Sequence, residues 1–279
     1  MIVPIANKVG IRVSTRIDTC RSSLFCSKNS SVSLHPINVA DTVLMDIQNS
    51  GIIACLRAKR VSSGGCACST PGWNFRCCKS IESVGYILKK TYLRSIVFQL
   101  EITMSTPGVF EALQCLVQEY PSASIGVGTV LDRREAKEAV DLGAKFLMSP
   151  AMVKGILSDV AEGQALYIPG ATTPTEVLSA STDGAKIITV YPVSVSGGVE
   201  YLAALKKPFP HIPLVASQGM GLDTVGAYIC EGATAVVLSD AIFDKKAMAE
   251  RNFLRIHHLA CSAATEGNQA VRKTKCMDE

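Results

Sequence analysis

Glu101 interrupts the apolar run Val97-Phe-Gln-Leu-Glu-Ile-Thr103. A bare charge is costly to bury, so a carboxylate here must be paired, protonated or functional. Apolar surroundings would lift its pKa into the range useful for moving protons. Other polar or backbone-exposing residues stand where short apolar runs end: Arg57, Thr129, Ser149 with Pro150, Pro169 with Gly170, Thr189 with Tyr191, Ser217 with Gln218, and Ser239 with Asp240. The four histidines, His35, His211, His257 and His258, fall elsewhere, in the leader, before a strand or in the last helix. A histidine metal site or a Ser-His-Asp triad is therefore not expected.

These residues can meet only if the runs that carry them are strands. The stretch Ala185-Lys-Ile-Ile-Thr-Val-Tyr-Pro192, followed by Gly197 and Gly198, reads as strand, loop and helix. The same unit recurs, with strands at 51–56, 96–103, 124–129, 145–149, 166–169, 185–191, 213–217 and 235–239. An extra helix from Val39 to a stop at Asn49-Ser50-Gly51 precedes them. Thr106-Pro107, Asp132 with Glu135, and Thr173-Pro174 with Glu176 predict the starts of later helices. Eight strand-helix units with right-handed crossovers predict an α/β fold of the closed (β/α)8 TIM barrel type, with its chemistry at the carboxyl ends of the strands. The alternative is an open doubly wound sheet, but Gly126-Val-Gly128 lacks the rest of a dinucleotide fingerprint.

Forty-eight per cent hydrophobic and 19% charged residues over 279 positions allow a large core. The net charge of +4 sits largely at the two ends, with no stripe of Lys and Arg interleaved with aromatics, so no nucleic-acid partner is expected. No apolar run approaches the roughly 18 residues of a membrane span, so no membrane partner is expected either. Residues 1–37 carry Lys8, Arg12, Arg16, Arg21 and Lys28 against Asp18, with many serines. That composition predicts an organelle transit peptide, chloroplast in preference to mitochondrion, with a cytoplasmic protein as the alternative. The barrel is expected over 38–264, with an irregular insertion at 60–79 and a disordered tail at 265–279. Eleven cysteines show no paired spacing, and Cys55, Cys115 and Cys230 read as reduced, buried residues. Cys66, Cys68, Cys77 and Cys78 in the insertion match no usual zinc spacing.

Six motifs, in order, resemble one family. Gly51-Ile-Ile-Ala-Cys-Leu-Arg57, Leu100-Glu-Ile-Thr103, Gly126-Val-Gly-Thr-Val-Leu131, Met148-Ser-Pro150, Ile168-Pro-Gly170, and Tyr191-Pro192 with Gly197-Gly198 are similar to segments of the 2-keto-3-deoxy-6-phosphogluconate/4-hydroxy-2-oxoglutarate aldolases. The resemblance implies a retro-aldol lyase that acts on a small 2-oxo acid, releases pyruvate, works without a cofactor and assembles as a homotrimer. It implies Glu101 as general acid/base. Arg57, Thr129, Pro150, Gly170, Ser217 and Gly219 become substrate-binding positions.

The departures are chemical. By register on Tyr191-Pro192, the family's Schiff-base lysine falls at Thr189, and a hydroxyl cannot form an imine. Lys186 lies on the opposite face, about 10 Å nearer the barrel's far end. The phosphate-holding loops read Gln218-Gly219-Met220 and Ser239-Asp240-Ala241, and the arginine that usually follows the glutamate strand is Ser105. Three readings follow: a lyase, with a divalent metal on Glu101 and Asp240 as one way to polarise the ketone; a catalytically inactive keto-acid-binding pseudoenzyme; or a barrel isomerase using Glu101 as base.

Overall fold

The β-branched runs pair side by side into one parallel sheet. The computed structural model describes residues 38–57, 99–160 and 162–277. The leader and the insertion at 60–79 lie outside those residues. The strands are β1 (Ile52–Leu56), β2 (Gln99–Thr103), β3 (Ile125–Gly128), β4 (Phe146–Met148), β5 (Leu166–Ile168), β6 (Gly170–Ala171), β7 (Ile188–Val190), β8 (Leu214–Ser217) and β9 (Ala235–Leu238). Their order is β5-β4-β3-β2-β1-β9-β8-β7-β6, and every pairing is parallel. β5 and β6 are two halves of one strand, parted at Pro169, which has no N–H to give a ladder. Its carbonyl still accepts from the Thr189 N–H at 2.8 Å. Both sheet edges thus belong to one strand, and eight strands close into the predicted (β/α)8 barrel.

Alternation along each strand sorts the core into two. Ile53, Cys55, Phe146, Met148, Leu166, Ile168, Ile187, Val215, Ala235 and Val237 fill the inside. Leu100, Ile102, Val127, Leu147, Ile188, Val190, Leu214 and Leu238 pack outward against the helical layer. The extra amino-terminal helix α1 (Val39–Ser50) adds Ala40, Val43 and Ile47 to the inner cluster and so stoppers one end of the barrel. Asn38 caps it by accepting from the Asp41 N–H at 2.7 Å, and Gly51 stops it in the left-handed region at φ 69°. Lys186 bonds Asp41 of α1 at 2.5 Å, so its ammonium belongs to the stoppered end.

The outer helices are α2 (Val109–Glu119), α3 (Arg133–Asp141), α4 (Ile156–Asp159), α5 (Pro174–Thr182), α6 (Gly198–Lys206), α7 (Val225–Cys230), α8 (Lys245–Ala249) and α9 (Phe253–Met277). The capping box at α5 is present in full, Thr173 with Glu176. Asp132 caps α3, but Glu135 reaches the Leu131 N–H instead of closing the box. Pro107 does not open α2. Hydroxyl contacts of Thr103 with Ser105 (3.0 Å) and Thr106 (3.3 Å) make a turn, and Gly108 at φ 70° delays the helix. Among the described residues no helix is long and apolar enough to cross a membrane.

The expectation of a loose tail from residue 265 is overturned. α9 continues to Met277, burying Ala263, Ala264, Ala270 and Val271. Gly267 lies on the junction of α1 and β1, where a Cβ would fall 2.5 Å from both the Ser50 carbonyl and Ile52. Small residues gave little hydrophobic period, yet they allow close approach. Gly226 of α7 is the counterpart, with nothing within 4 Å of its virtual Cβ. We expect Gly267→Ala to cost about 1–3 kcal/mol through overpacking, while Gly226→Ala gains about 0.5–1 kcal/mol from helix entropy. Urea denaturation midpoints of the two variants should move in opposite directions.

Candidate active site

The inner faces of β1, β2 and β3 meet around Glu101. The register sets Cys55 beside Glu101 and Glu101 beside Gly126. Glu101 is 6% exposed. Its carboxylate leans over β3, where a Cβ on Gly128 would stand 1.6 Å from Oε1 and 2.3 Å from the carboxyl carbon. Gly126 makes similar room for the Phe146 ring, at 2.5 Å from its virtual Cβ. The Gly-Val-Gly stretch is therefore a seat for two side chains. On the other flank the register sets Cys55 against Glu101, and Ser239 follows β9, the strand on the far side of β1. Arg57, exposed at the end of β1, adds its positive field.

Burial pushes Glu101 up from 4.5 to about 7, the Cys55 hydrogen bond and then the Arg57 charge pulling the other way. Burial, followed by the neighbouring carboxylate, drives the Cys55 thiol well above its ordinary value. The acid is thus poised to gain and lose a proton near neutrality, whereas the thiol stays protonated and donates.

The remaining candidates divide between the barrel mouth and its framework. Thr129 follows β3 with φ 60°, a left-handed conformation that costs a β-branched residue about 1–3 kcal/mol, and its side chain is half-buried. Pro150 and Gly170 touch: a Cβ at 170 would lie 2.1 Å from the Pro150 carbonyl oxygen. Ser149 is framework, donating to the Val130 carbonyl at 2.7 Å and receiving the Tyr167 hydroxyl at 3.1 Å. Thr189 faces inward at 2% exposure and donates to the Val215 carbonyl at 3.3 Å. Ser217, half-buried, ends β8, and Gln218 and Gly219 both turn left-handed at φ 84° and 87°. Ser194 fills the space over Gly219, 2.3 Å from its virtual Cβ, and bonds the Gln218 Oε1 at 2.5 Å.

Asp240 and Glu101 are differently placed. The Asp240 side chain is 68% exposed and pairs with Lys245 at 2.9 Å, while Glu101 is enclosed. Among the described residues no three His, Cys, Asp or Glu side chains converge as a metal site. Sequence reasoning missed Cys55 and Ser194. Inward parity two residues before Arg57, beside Glu101, is the signal that could have found Cys55; Ser194 depends on how two loops meet.

The whole arrangement has relatives. A family profile described as KDPG and KHG aldolase matches residues 81–259. The KHG/KDPG aldolase of Escherichia coli is 30% identical over 149 residues, covering 51% of this chain and 70% of that protein. The 2-dehydro-3-deoxy-phosphogluconate aldolase of Dickeya dadantii is 31% identical over 149 residues, with the same coverage. In fold, the chain is similar to the KDPG aldolase of Legionella pneumophila, crystallised with pyruvate captured as a covalent carbinolamine: TM-score 0.65, 21% identity, 79% of this chain and 97% of that one.

The raised acidity constant fixes a pH dependence. Between pH 4.5 and about 7 the native state holds a proton on Glu101 that the unfolded chain has released, so stability falls as pH rises through that window. The full loss is about 3 kcal/mol and is complete above about pH 7. Glu101→Gln should flatten this slope and raise the urea midpoint relative to the native sequence at alkaline pH, with little difference near pH 4.5; equal slopes in the two proteins would contradict the burial argument.

Proposed function

The chain belongs to the KDPG and KHG aldolase family, and from that premise we propose a lyase that cleaves a small 4-hydroxy-2-oxo acid by retro-aldol chemistry, releasing pyruvate, with Glu101 as general acid/base. The observation that carries this reading is an enclosed carboxylate poised near neutrality beside an arginine, at the carboxyl ends of barrel strands. Ionised Glu101 takes the proton of the C4 hydroxyl. The C3–C4 bond breaks, its electron pair enters the C2 carbonyl as an enolate, and the aldehyde leaves. The same carboxyl then returns its proton to C3, giving pyruvate and leaving Glu101 as it began.

Arg57 and Thr129 are proposed to hold the substrate carboxylate, with Pro150, Gly170, Ser217 and Gly219 shaping the mouth. The sink is a carbonyl oxygen under the Arg57 charge and not an imine. Two observations support that assignment. Position 189 carries a hydroxyl already donated to the Val215 carbonyl, and the lysine of that strand segment pairs with Asp41 at the stoppered end. Phosphate is disfavoured because Ser194 occupies the space over Gly219 and the exposed Asp240 adds negative charge in the next loop. The loops after strands seven and eight are where barrels commonly seat that group. An unphosphorylated 2-oxo acid is the better fit. The bonded Thr189 hydroxyl also favours a second reading, a pseudoenzyme that binds the keto acid and leaves it intact. A homotrimer and a plastid location are carried as further proposals.

Borohydride reduction in the presence of pyruvate should leave the native protein unmodified by mass spectrometry, whereas Thr189→Lys, which sets an amine on the inner face, should trap an adduct. Pyruvate release from 4-hydroxy-2-oxoglutarate should fall by about 10²-fold or more in Glu101→Gln. An adduct on a lysine of the native protein overturns the imine-free mechanism, and absent turnover at every pH selects the binding reading.

A further inference from the structure

We propose that Cys55 is a positioning residue for Glu101: its thiol, fixed by the Ser239 hydroxyl, holds the carboxylate over Gly128 and supplies a donor from the β1 side. Adjacent strands lie about 4.8 Å apart, and the register sets Cys55 and Glu101 directly side by side. Both side chains point inward, at 4% and 6% exposure. On the opposite flank β3 offers only the bare backbone of Gly128, because any side chain there would occupy the carboxylate's own position. The carboxylate is therefore bounded by glycine on one side and by a thiol on the other. Ser239, half-buried just after β9, approaches the sulfur from β1's other neighbour, and β1 pairs with both β2 and β9. Ser239, Cys55 and Glu101 thus lie across three adjacent strands, in the order in which the proposal has each hydroxyl or thiol donate to the next group.

A cysteine suits this position because the thiol is compact and apolar enough for an inner strand, yet donates weakly to a charge. A branched apolar residue would fill the volume and give nothing to the carboxylate. The thiol's burial pushes it away from ionisation, so it acts as a donor and not as a nucleophile.

The consequence for turnover rests on the reading of Glu101 as acid/base, but the structural coupling can be measured without turnover. Infrared difference spectra, native minus Glu101→Gln, isolate the protonated carboxyl band of Glu101 and let it be titrated in the full chain. Cys55→Val should shift that titration to higher pH and Cys55→Ser should leave it near the native position. In an active protein the acid limb of kcat should move with it, with KM unchanged. Independently, the S–H stretching band that Cys55→Ser removes should change frequency in Glu101→Gln. A titration unmoved in Cys55→Val, or, should that variant not fold, an S–H band indifferent to Glu101→Gln, overturns the proposal. A coupled pair in a protein without lyase activity refutes the functional reading and leaves the positioning role intact.

Discussion

The constraint beneath this structure is the enclosure of one carboxylate among the inner side chains of the barrel. Moving a carboxylate out of water is expensive unless charge or hydrogen bonds replace the lost hydration. Here the replacement is partial: a thiol on the neighbouring strand and an arginine acting from an exposed position. The balance leaves Glu101 titrating near neutrality, a compromise between a buried neutral acid and a fully paired ion. A stronger partner would have locked the charge in place.

Much of the surrounding architecture is the steric consequence of that placement. Gly128 is bare because the carboxylate lies where its side chain would be, and Gly126 yields to Phe146 in the layer below. Thr129 then accepts an unfavourable backbone conformation to turn the chain at the mouth. Strain of this kind persists where surrounding structure over-determines it, and it gathers at sites of function. The opposite end of the barrel is built for stability: α1 closes it with Ala40, Val43 and Ile47, and α9 lies against α1 and β1 through Gly267.

Two hydroxyl side chains near the barrel mouth share one feature. Thr189 is tied to its neighbouring strand, and Ser194, over Gly219, is bonded to Gln218. In both places a polar side chain is engaged within the protein. The acid and the arginine are kept beside each other.

The amino-acid sequence by itself determined the alternation of strands and helices, the closed parallel barrel and the inward parity of Glu101 and Thr189, because these follow from periodicities of 2 and 3.6 and from cap residues that act locally. It also showed that Lys186 could not share a face with Thr189. It could not show that residues 265–277 form a packed helix, since small residues signal close approach only once a neighbouring surface such as Ser50 and Ile52 exists. Nor could it assign Cys55 to the site. A thiol among apolar residues reads as core until parallel register sets it beside the carboxylate and Ser239 arrives from a strand almost two hundred residues away in the chain. Tertiary structure decided those matters because burial, contact and acidity are properties of neighbours in space, which no single stretch of chain contains.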